Sequence, residues 1–348
     1  MALLTASAVG VLLAGAPVAQ ADPDPKLHVT DVTLSRSSVA VSGLNLVPVR
    51  VQVTGGYDTA DPSLADMPLV VWLKPASGSS STLIWVLSTD LPRVSGTTQD
   101  GVWAGPVYIP STANGPLEVF GVTTGPLAVY ESGPMPADPT PVDLPPTIAV
   151  IGTNLPKITA KVTPPVVPFG SGFTITWAVT NSATGTPYGT RIRVLLGTDN
   201  GCFSNASGTV LLTSTSGLVT KAYPASAAAL TNCLRIGGRP LDIAGRHLLV
   251  ARPGIVSAVP SATSAKVGTI VPVNGNVLGA PQGCSVLLQR LYGATQWRGV
   301  SLGVVRQSGR FTLSAQPAYK GLIPYRVYFA ACRNYQVGIS RTFYIRGL

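Results

Sequence analysis

The sequence predicts an all-β protein of three tandem β-sandwich domains after a signal peptide, and three observations support this fold class. Helical periodicity is almost absent, whereas short segments alternate apolar and polar residues with a period of two. Turn-forming residues separate these segments, with 37 Gly and 31 Pro among 348 residues. The same order of strand signals recurs three times at intervals of about 100 residues, the size of one sandwich.

The first 21 residues are apolar and small and end in Ala19-Gln20-Ala21. This pattern is typical of a secretory signal peptide, so we expect cleavage after Ala21 and a secreted, extracellular protein, either released or held non-covalently at the cell envelope. The alternative is an N-terminal membrane anchor, but the stretch is short for a bilayer span and is interrupted by two glycines and a proline. We predict no transmembrane segment in the mature chain.

The first sandwich is assigned to residues 22–155. In the segment from Val47 to Val53 the odd positions are apolar, which predicts a half-buried strand. The segment from Gly133 to Pro146 contains six prolines. We interpret it as a stiff, extended loop before a last strand, Thr147 to Val150, with an interdomain linker as the alternative.

The second sandwich (156–253) and the third (254–348) repeat one strand order. The aligned positions are Phe173, Ile175, Trp177, Val179, Ile192, Val194 and Leu196 in the second, and Val271, Val273, Gly275, Val277, Cys284, Val286 and Leu288 in the third. Gly275 replaces an apolar side chain, which indicates a bulge or a close approach of two segments. The only helical signal lies within Ser226 to Leu230.

Two glycines follow these strands in each predicted sandwich. The first opens a strand (Gly101, Gly217, Gly309), and the second precedes another strand (Gly115, Gly245, Gly321). Over nearly the whole mature chain this pattern resembles the immunoglobulin-like modules of secreted and surface bacterial proteins, and Tyr325 resembles the tyrosine at a sandwich corner. The antibody arrangement of Cys, Trp and Cys is not reproduced. The resemblance implies a string of sandwiches and no particular activity. The 17 Arg against 7 Lys also suggest a high-GC bacterial genome.

The four cysteines are even in number, which in a secreted chain favours disulfides. Three pairings exist in principle, and the unit boundaries favour Cys202–Cys233 and Cys284–Cys332. Each bond would stabilise its sandwich by about 3–4 kcal/mol in the chain-entropy model. A zinc site is the alternative, but the C-x-x-C spacing and nearby histidines that such sites use are missing.

Charge is sorted along the chain. The first sandwich has 5 basic and 12 acidic residues, a net charge of −7. The second has 9 basic and 2 acidic residues, a net charge of +7, and the third has 10 basic and no acidic residues, a net charge of +10. Asp242 is the last acidic residue. Because no Asp or Glu follows it, the third sandwich has no side-chain carboxylate to serve as an acid, a base, a nucleophile or a calcium ligand. The third sandwich is therefore a candidate for binding an anionic partner.

The third sandwich combines arginines with aromatic residues. Guanidinium groups bind carboxylate, phosphate or sulfate, and aromatic faces stack on sugars or on guanidinium groups. The alternative is a solvated cationic surface over an aromatic core. The candidate binding residues are Arg290, Trp297, Arg298, Arg306, Arg310, Tyr319, Arg326, Tyr328, Arg333, Tyr335 and Arg341, with Tyr292, Tyr344 and Arg346 in the wider set.

Other chemistries have weaker signals. Asp58, Asp61, Asp66 and Asp100 offer loop carboxylates for a Ca²⁺ ion, but their spacing matches no EF-hand and suits ordinary turns. Enzymatic activity is not expected, because the only histidines, His28 and His247, lie in different units and no nucleophile elbow or H-E-x-x-H motif occurs. We expect His28 to pair with Asp31, His247 to be structural, and no cofactor.

The favoured function is therefore a non-catalytic binding or adhesion protein whose basic C-terminal units contact an anionic polysaccharide, a cell-wall polymer or the cell-envelope surface. A structural spacer that associates with itself, acidic head to basic tail, is the first alternative. A secreted hydrolase or a hydrolase inhibitor is the second. No sequence-specific nucleic-acid binding is expected.

Overall fold

The computed structural model describes residues 24, 26–59, 64, 67–131, 138–197, 202, 208–226 and 231–348. The predicted signal peptide lies outside these residues, as does most of the predicted helical turn, 227–230. The chain divides into two compact units, residues 1–153 with 238–241, and residues 154–237 with 242–348. The expected division into three domains therefore stays a prediction.

The described residues of the first unit form nine strands, one 3-10 turn at Ser111–Ala113 and one short helix, α1, at Ala128–Glu131. The strands are β1 Leu27–Leu34, β2 Ser38–Ser42, β3 Leu46–Tyr57, β4 Leu69–Pro75, β5 Val86–Leu87, β6 Arg93–Gly96, β7 Gly101–Pro110, β8 Gly115–Thr124 and β9 Thr147–Thr153.

The second unit continues with sixteen strands in its described residues. They are β10 Pro156–Thr163, β11 Phe173–Asn181, β12 Arg193–Gly197, β13 Thr209–Leu212, β14 Leu218–Tyr223, β15 Thr231–Ile236, β16 Ala244–Leu249, β17 Val256–Pro260, β18 Ser264–Ala265, β19 Val271–Val277, β20 Ser285–Tyr292, β21 Gln296–Val304, β22 Arg310–Ala315, β23 Gly321–Phe329, β24 Gly338–Ile339 and β25 Phe343–Gly347.

These strands form three pairs of sheets with immunoglobulin-like order, which confirms the predicted all-β fold class. The first unit pairs β1-β3-β7-β6 with β2-β9-β8-β4-β5. The second unit has two pairs, β10-β11-β14 with β13-β12-β15-β16, and β17-β19-β22 with β18-β25-β23-β20-β21, where β24 joins β23.

The predicted alternation is confirmed in the cores. Val49, Val51 and Val53 are fully buried, as are Ile175, Trp177 and Val179. Gly275 marks a close approach, not a bulge: a Cβ atom there would lie 2.1 Å from Cζ of Phe311 and 2.5 Å from the Ser257 carbonyl oxygen, while the pairing with both neighbouring strands stays in register. Only glycine lets these strands and the Phe311 ring meet.

The structure differs from the predicted strand order at one glycine and assigns the proline-rich segment to the first sandwich. The second glycine of the middle sandwich was aligned wrongly, because Gly245 lies in the edge strand β16. The strand that corresponds to β8 in the first sandwich and β23 in the third is β15, the partner of β12. The glycine signal failed because β15 begins at Thr231, with no glycine before it in the sequence. By contrast, β9 pairs with β8 and with β2, so the proline-rich segment precedes a strand of the first unit and is not a linker.

Both predicted disulfides are present, Cys202–Cys233 and Cys284–Cys332. The tyrosine-corner expectation is also confirmed, because the buried Tyr325 hydroxyl donates to the Gln316 carbonyl at 3.0 Å. Cys284–Cys332 joins the start of β20 to the loop after β23, at the end away from the β20–β21 hairpin, whereas Tyr325 lies opposite Arg290 near the hairpin end.

Within the second unit, a buried arginine joins two sheet pairs. Arg252 is 7% exposed, and its guanidinium donates to the carbonyls of Val167 at 3.2 Å and Pro168 at 2.9 Å. Its backbone pairs with residues 334–336, and Phe169 packs on Tyr335 with ring centroids 6.4 Å apart. The segment before β11 and the segment after β23 are thereby tied together.

No helix in the described part of the chain is long and apolar enough to cross a membrane.

Candidate anion-binding site

The β20–β21 hairpin and the neighbouring strand β23 bring five residues of the third sandwich together. Arg290 and Tyr292 end β20, Trp297 and Arg298 begin β21, and Arg326 lies on β23 opposite Gln289. We call Arg290, Tyr292, Trp297, Arg298 and Arg326 the hairpin cluster. Four of them are sequence-predicted site residues, and Tyr292 belongs to the wider set.

One side of the hairpin holds two arginines on a single aromatic ring. Arg290 and Arg298 are directly opposite each other in the antiparallel pair. Their guanidinium carbons lie 4.4 Å and 4.9 Å from the centroid of the Tyr292 ring. Arg290 also donates to the Tyr292 hydroxyl, and Arg298 donates through two nitrogens to Oε1 of Gln296, at 3.1 Å and 2.7 Å.

The other side of the hairpin carries a stacked arginine and tryptophan. The Arg326 guanidinium lies 4.3 Å from the Trp297 ring centroid, and its Nε donates to Oε1 of Gln289 at 2.8 Å. Both side chains are half-buried. Each guanidinium of the cluster is therefore oriented by an aromatic face and by a neutral oxygen, which preserves its full positive charge.

A cleft of about 370 Å³ adjoins Arg290. It is lined by Ile270, Arg290, Val300, Ser301, Ser314 and Gln316. The Ser301 hydroxyl accepts a hydrogen bond from the Ser314 backbone at 3.1 Å, which leaves its own proton available to donate. Nε of Arg290 is buried and has no hydrogen-bond partner.

No carboxylate neutralises this cluster within the described residues, where the three ion pairs are His28–Asp58, Lys74–Glu118 and Arg235–Asp242. Asp242, the last acidic residue, serves inside the fold: it lies 3.3 Å from the fully buried Arg235. The positive charge of the hairpin cluster is thus available to an external anion.

The electrostatic effect of Arg290 reaches the core of the third sandwich. Burial raises the pKa of Tyr325 above its usual value, and the hydrogen bond and positive charge of Arg290 partly oppose this rise in pKa. Arg290 therefore stands between the buried tyrosine corner and the cleft.

The predicted site residues do not converge on one face. Arg290, Trp297, Arg298, Tyr319 and Arg326 lie toward the hairpin end of the third sandwich, whereas Arg306, Arg310 and Arg333 lie in loops or strand ends toward the opposite end. Arg341 lies between these ends, next to Ser340, whose backbone pairs with Val327. That opposite end is the one that meets residues 167–169. The length of β21 alone separates Arg298 from the Arg306–Arg310 turn by about 20 Å.

Two predicted aromatic residues have other surroundings. Tyr335 is 8% exposed, packs against Phe169 and Phe329, and donates to the Gly279 carbonyl at 2.9 Å. Tyr328 is half-buried on the sheet face, opposite Leu287 and Ile339. We therefore leave both outside the candidate site.

Sequence reasoning missed the polar residues that complete the site. Gln289 and Gln296 orient two guanidinium groups, and Ser301, Ser314 and Gln316 line the cleft. The sequence carried little signal for them, because their partners are set by the pairing of β20 with β21 and β23 and by the approach of β21 to β22.

The two histidines and the candidate calcium ligands form no catalytic or metal-binding group among the described residues. His28 Nδ1 lies 3.0 Å from Oδ1 of Asp58, not near Asp31 as expected. In the described chain neither His28 nor His247 has a hydrogen bond to a hydroxyl or thiol side chain, and Nε2 of His247 is buried without a partner. Asp61 and Asp66 lie outside the described residues, and no group of three or more potential metal-binding side chains occurs within them.

No protein-family model and no curated protein matches the chain. Among solved structures it is similar to the tetra-tandem repeat in the extending region of a large adhesion protein, with TM-score 0.33 and 11% identity over 92% of this chain and 75% of that chain. It is also similar to FdeC, an Escherichia coli adhesin, with TM-score 0.27 and 14% identity over 94% and 99%. A third similar structure is the D1–D4 ectodomain fragment of ICAM-5, with TM-score 0.32 and 12% identity over 91% and 76%. TM-scores and identities this low carry no functional conclusion.

Proposed function

We propose that the protein is a non-catalytic extracellular binding protein whose hairpin cluster contacts an anionic polymer, such as an acidic polysaccharide or a cell-wall polymer. The supporting observation is that Arg290, Arg298 and Arg326 are each held on an aromatic face with no carboxylate partner among the described residues. A surface arginine that served only solubility would not need this orientation.

The cluster offers two kinds of contact that an acidic glycan or a polyol phosphate requires. Guanidinium groups donate paired hydrogen bonds to oxyanions, and the rims of Trp297 and Tyr292 offer apolar surface to the chain between its charges. The distribution of the other arginines reduces the proposed site from the whole third sandwich to its hairpin end.

The test compares two double variants of the full-length protein that lose the same charge. Arg298→Ala with Arg326→Ala removes two cations of the hairpin cluster, and Arg306→Ala with Arg310→Ala removes two cations from the opposite end. Binding to an immobilised sulfated polysaccharide, a polyglycerol phosphate and a polyuronate is measured by surface plasmon resonance at fixed salt.

We expect the hairpin variant to lose at least tenfold in affinity for the bound polymer and the control variant to lose less than about threefold, because buried or oriented charge contacts contribute more than exposed ones. Equal losses in the two variants would show that net charge alone drives association. Absence of binding by the unmodified protein to all three polymers at low salt would overturn the proposal.

A further inference from the structure

The pairing of β20 with β21 creates a charge conflict. Arg290 and Arg298 are direct cross-strand partners, and like charges in such positions destabilise a sheet. Both guanidinium carbons lie within 4.9 Å of the centroid of the same Tyr292 ring. The ring screens neither charge fully, and the whole segment from residue 243 to residue 348 has no Asp or Glu.

The cleft beside Arg290 supplies neutral donors next to this positive charge. The hydroxyl groups of Ser301 and Ser314 line it together with the Gln316 side chain. The buried Nε of Arg290 has no protein acceptor. Arginine and hydroxyl donors that approach from different walls match the several oxygens of a tetrahedral anion better than the two coplanar oxygens of a carboxylate.

We propose that this cleft, bounded by Arg290, Ser301 and Ser314 and assisted by Arg298, binds one tetrahedral oxyanion group, a phosphate or sulfate ester. The identification of that group as part of a polymer rests on the proposed function; the small-anion site itself does not. Bound there, the anion reduces the repulsion between Arg290 and Arg298. The third sandwich is then more stable with the anion than without it.

The first experiment measures the thermal unfolding midpoint of the full-length protein in inorganic phosphate, in sulfate, in acetate and in chloride at matched ionic strength. Phosphate and sulfate stabilise folded proteins in general, so the informative quantity is the difference between variants. In phosphate we expect the unmodified protein and the control Arg310→Ala to gain about 3–5 °C more than Arg298→Ala and Ser314→Ala do.

A second readout separates this charge conflict from a simple loss of a contact. In chloride, Arg298→Ala is expected to unfold at the same temperature as the unmodified protein or higher, since the substitution removes the repulsion. A Tm gain in phosphate that is the same in Arg298→Ala, Ser314→Ala and Arg310→Ala would overturn the proposal, as would an equal gain in acetate.

Binding measurements on the three immobilised polymers identify whether the bound oxyanion group is a sulfate or a phosphate ester. They also distinguish failure of the oxyanion site from failure of the proposed function. Preference for the sulfated polysaccharide indicates a sulfate ester, and preference for polyglycerol phosphate indicates a phosphodiester. Equal binding of both and of polyuronate, unaffected by Ser314→Ala, would sink the oxyanion site and leave the proposed function standing. A phosphate-dependent Tm gain without binding to any polymer would do the reverse.

Discussion

At the scale of single residues, the ion pairs Arg235–Asp242 and Lys74–Glu118 differ in burial and therefore in the stability lost when one partner is removed. Arg235 is completely buried and Asp242 is 11% exposed, whereas the side chains of Lys74 and Glu118, 3.0 Å apart, are 37% and 31% exposed. A buried charge that loses its partner remains desolvated, whereas an exposed charge regains water.

Asp242→Asn should therefore lower the free energy of unfolding by about 3–5 kcal/mol, while Glu118→Gln should lower it by less than about 1 kcal/mol. Differential scanning calorimetry of the two variants checks this. Similar small losses in both would mean that Arg235 finds other acceptors.

Gly275 gives a second residue-scale prediction. Alanine at this position must displace the Phe311 ring or the backbone near Ser257, so Gly275→Ala should cost about 1–3 kcal/mol. Gly237→Ala is the control, because a Cβ there meets only side chains at 3.4 Å and beyond. Urea denaturation of both variants measures the difference, and equal midpoints would contradict the tight contact.

Which residues are buried was largely predictable, but polar partners were not. Period-two alternation placed Val49, Ile175 and Val286 in the cores, because a strand buries every second residue. His28, however, pairs with a carboxylate thirty positions away. Such a partner depends on the pairing of whole strands, which local sequence patterns do not specify.

At the scale of the element, one irregularity decides the geometry of the candidate site. The register of β20 against β21 shifts between Leu288 and Gln289, so that Val300 is passed over and Ser301 faces Leu288. In a regular hairpin continued from the turn, Val300 would oppose Leu288 and Ser301 would oppose Leu287. The sequence predicts β20 and the arginines of the hairpin, but it carries no signal for this bulge, so the face that Ser301 occupies was not predictable.

The disulfide Cys284–Cys332 also acts at this scale. It links the start of β20 to the loop after β23 and encloses 48 residues. Its removal in a Cys284→Ala, Cys332→Ala variant should destabilise the third sandwich by about 4 kcal/mol in the chain-entropy model. Thermal unfolding with and without the pair tests the value; an unchanged midpoint would show that packing alone sets its stability.

At the scale of the whole molecule, Arg252 links two sheet pairs of the second unit, residues 154–237 with 242–348. Its guanidinium binds two carbonyl groups before β11, and its backbone binds residues 334 and 336 after β23. Arg252→Ala leaves those carbonyls without their donor and removes the contact with the Phe169 ring, 5.4 Å away.

We expect the unmodified second unit to unfold in one calorimetric transition and Arg252→Ala to divide it into two. Arg246→Ala, an exposed cation of the same unit, serves as the control and should leave the transition single. If Arg252→Ala also gave one transition at the original temperature, the junction would be held by other contacts. The sequence predicts a domain boundary near residue 253, and it carried no signal for this link, because an isolated arginine before a proline resembles an ordinary solvated linker residue.

The two crosslinks have a consequence for a chain that is pulled from its ends. The enclosed segments of 31 and 48 residues cannot lengthen while their sulfur atoms remain joined. Fully stretched, those segments would span roughly 105 Å and roughly 160 Å. A single-molecule extension trace under oxidising conditions should therefore fall short by about these amounts and recover them after reduction.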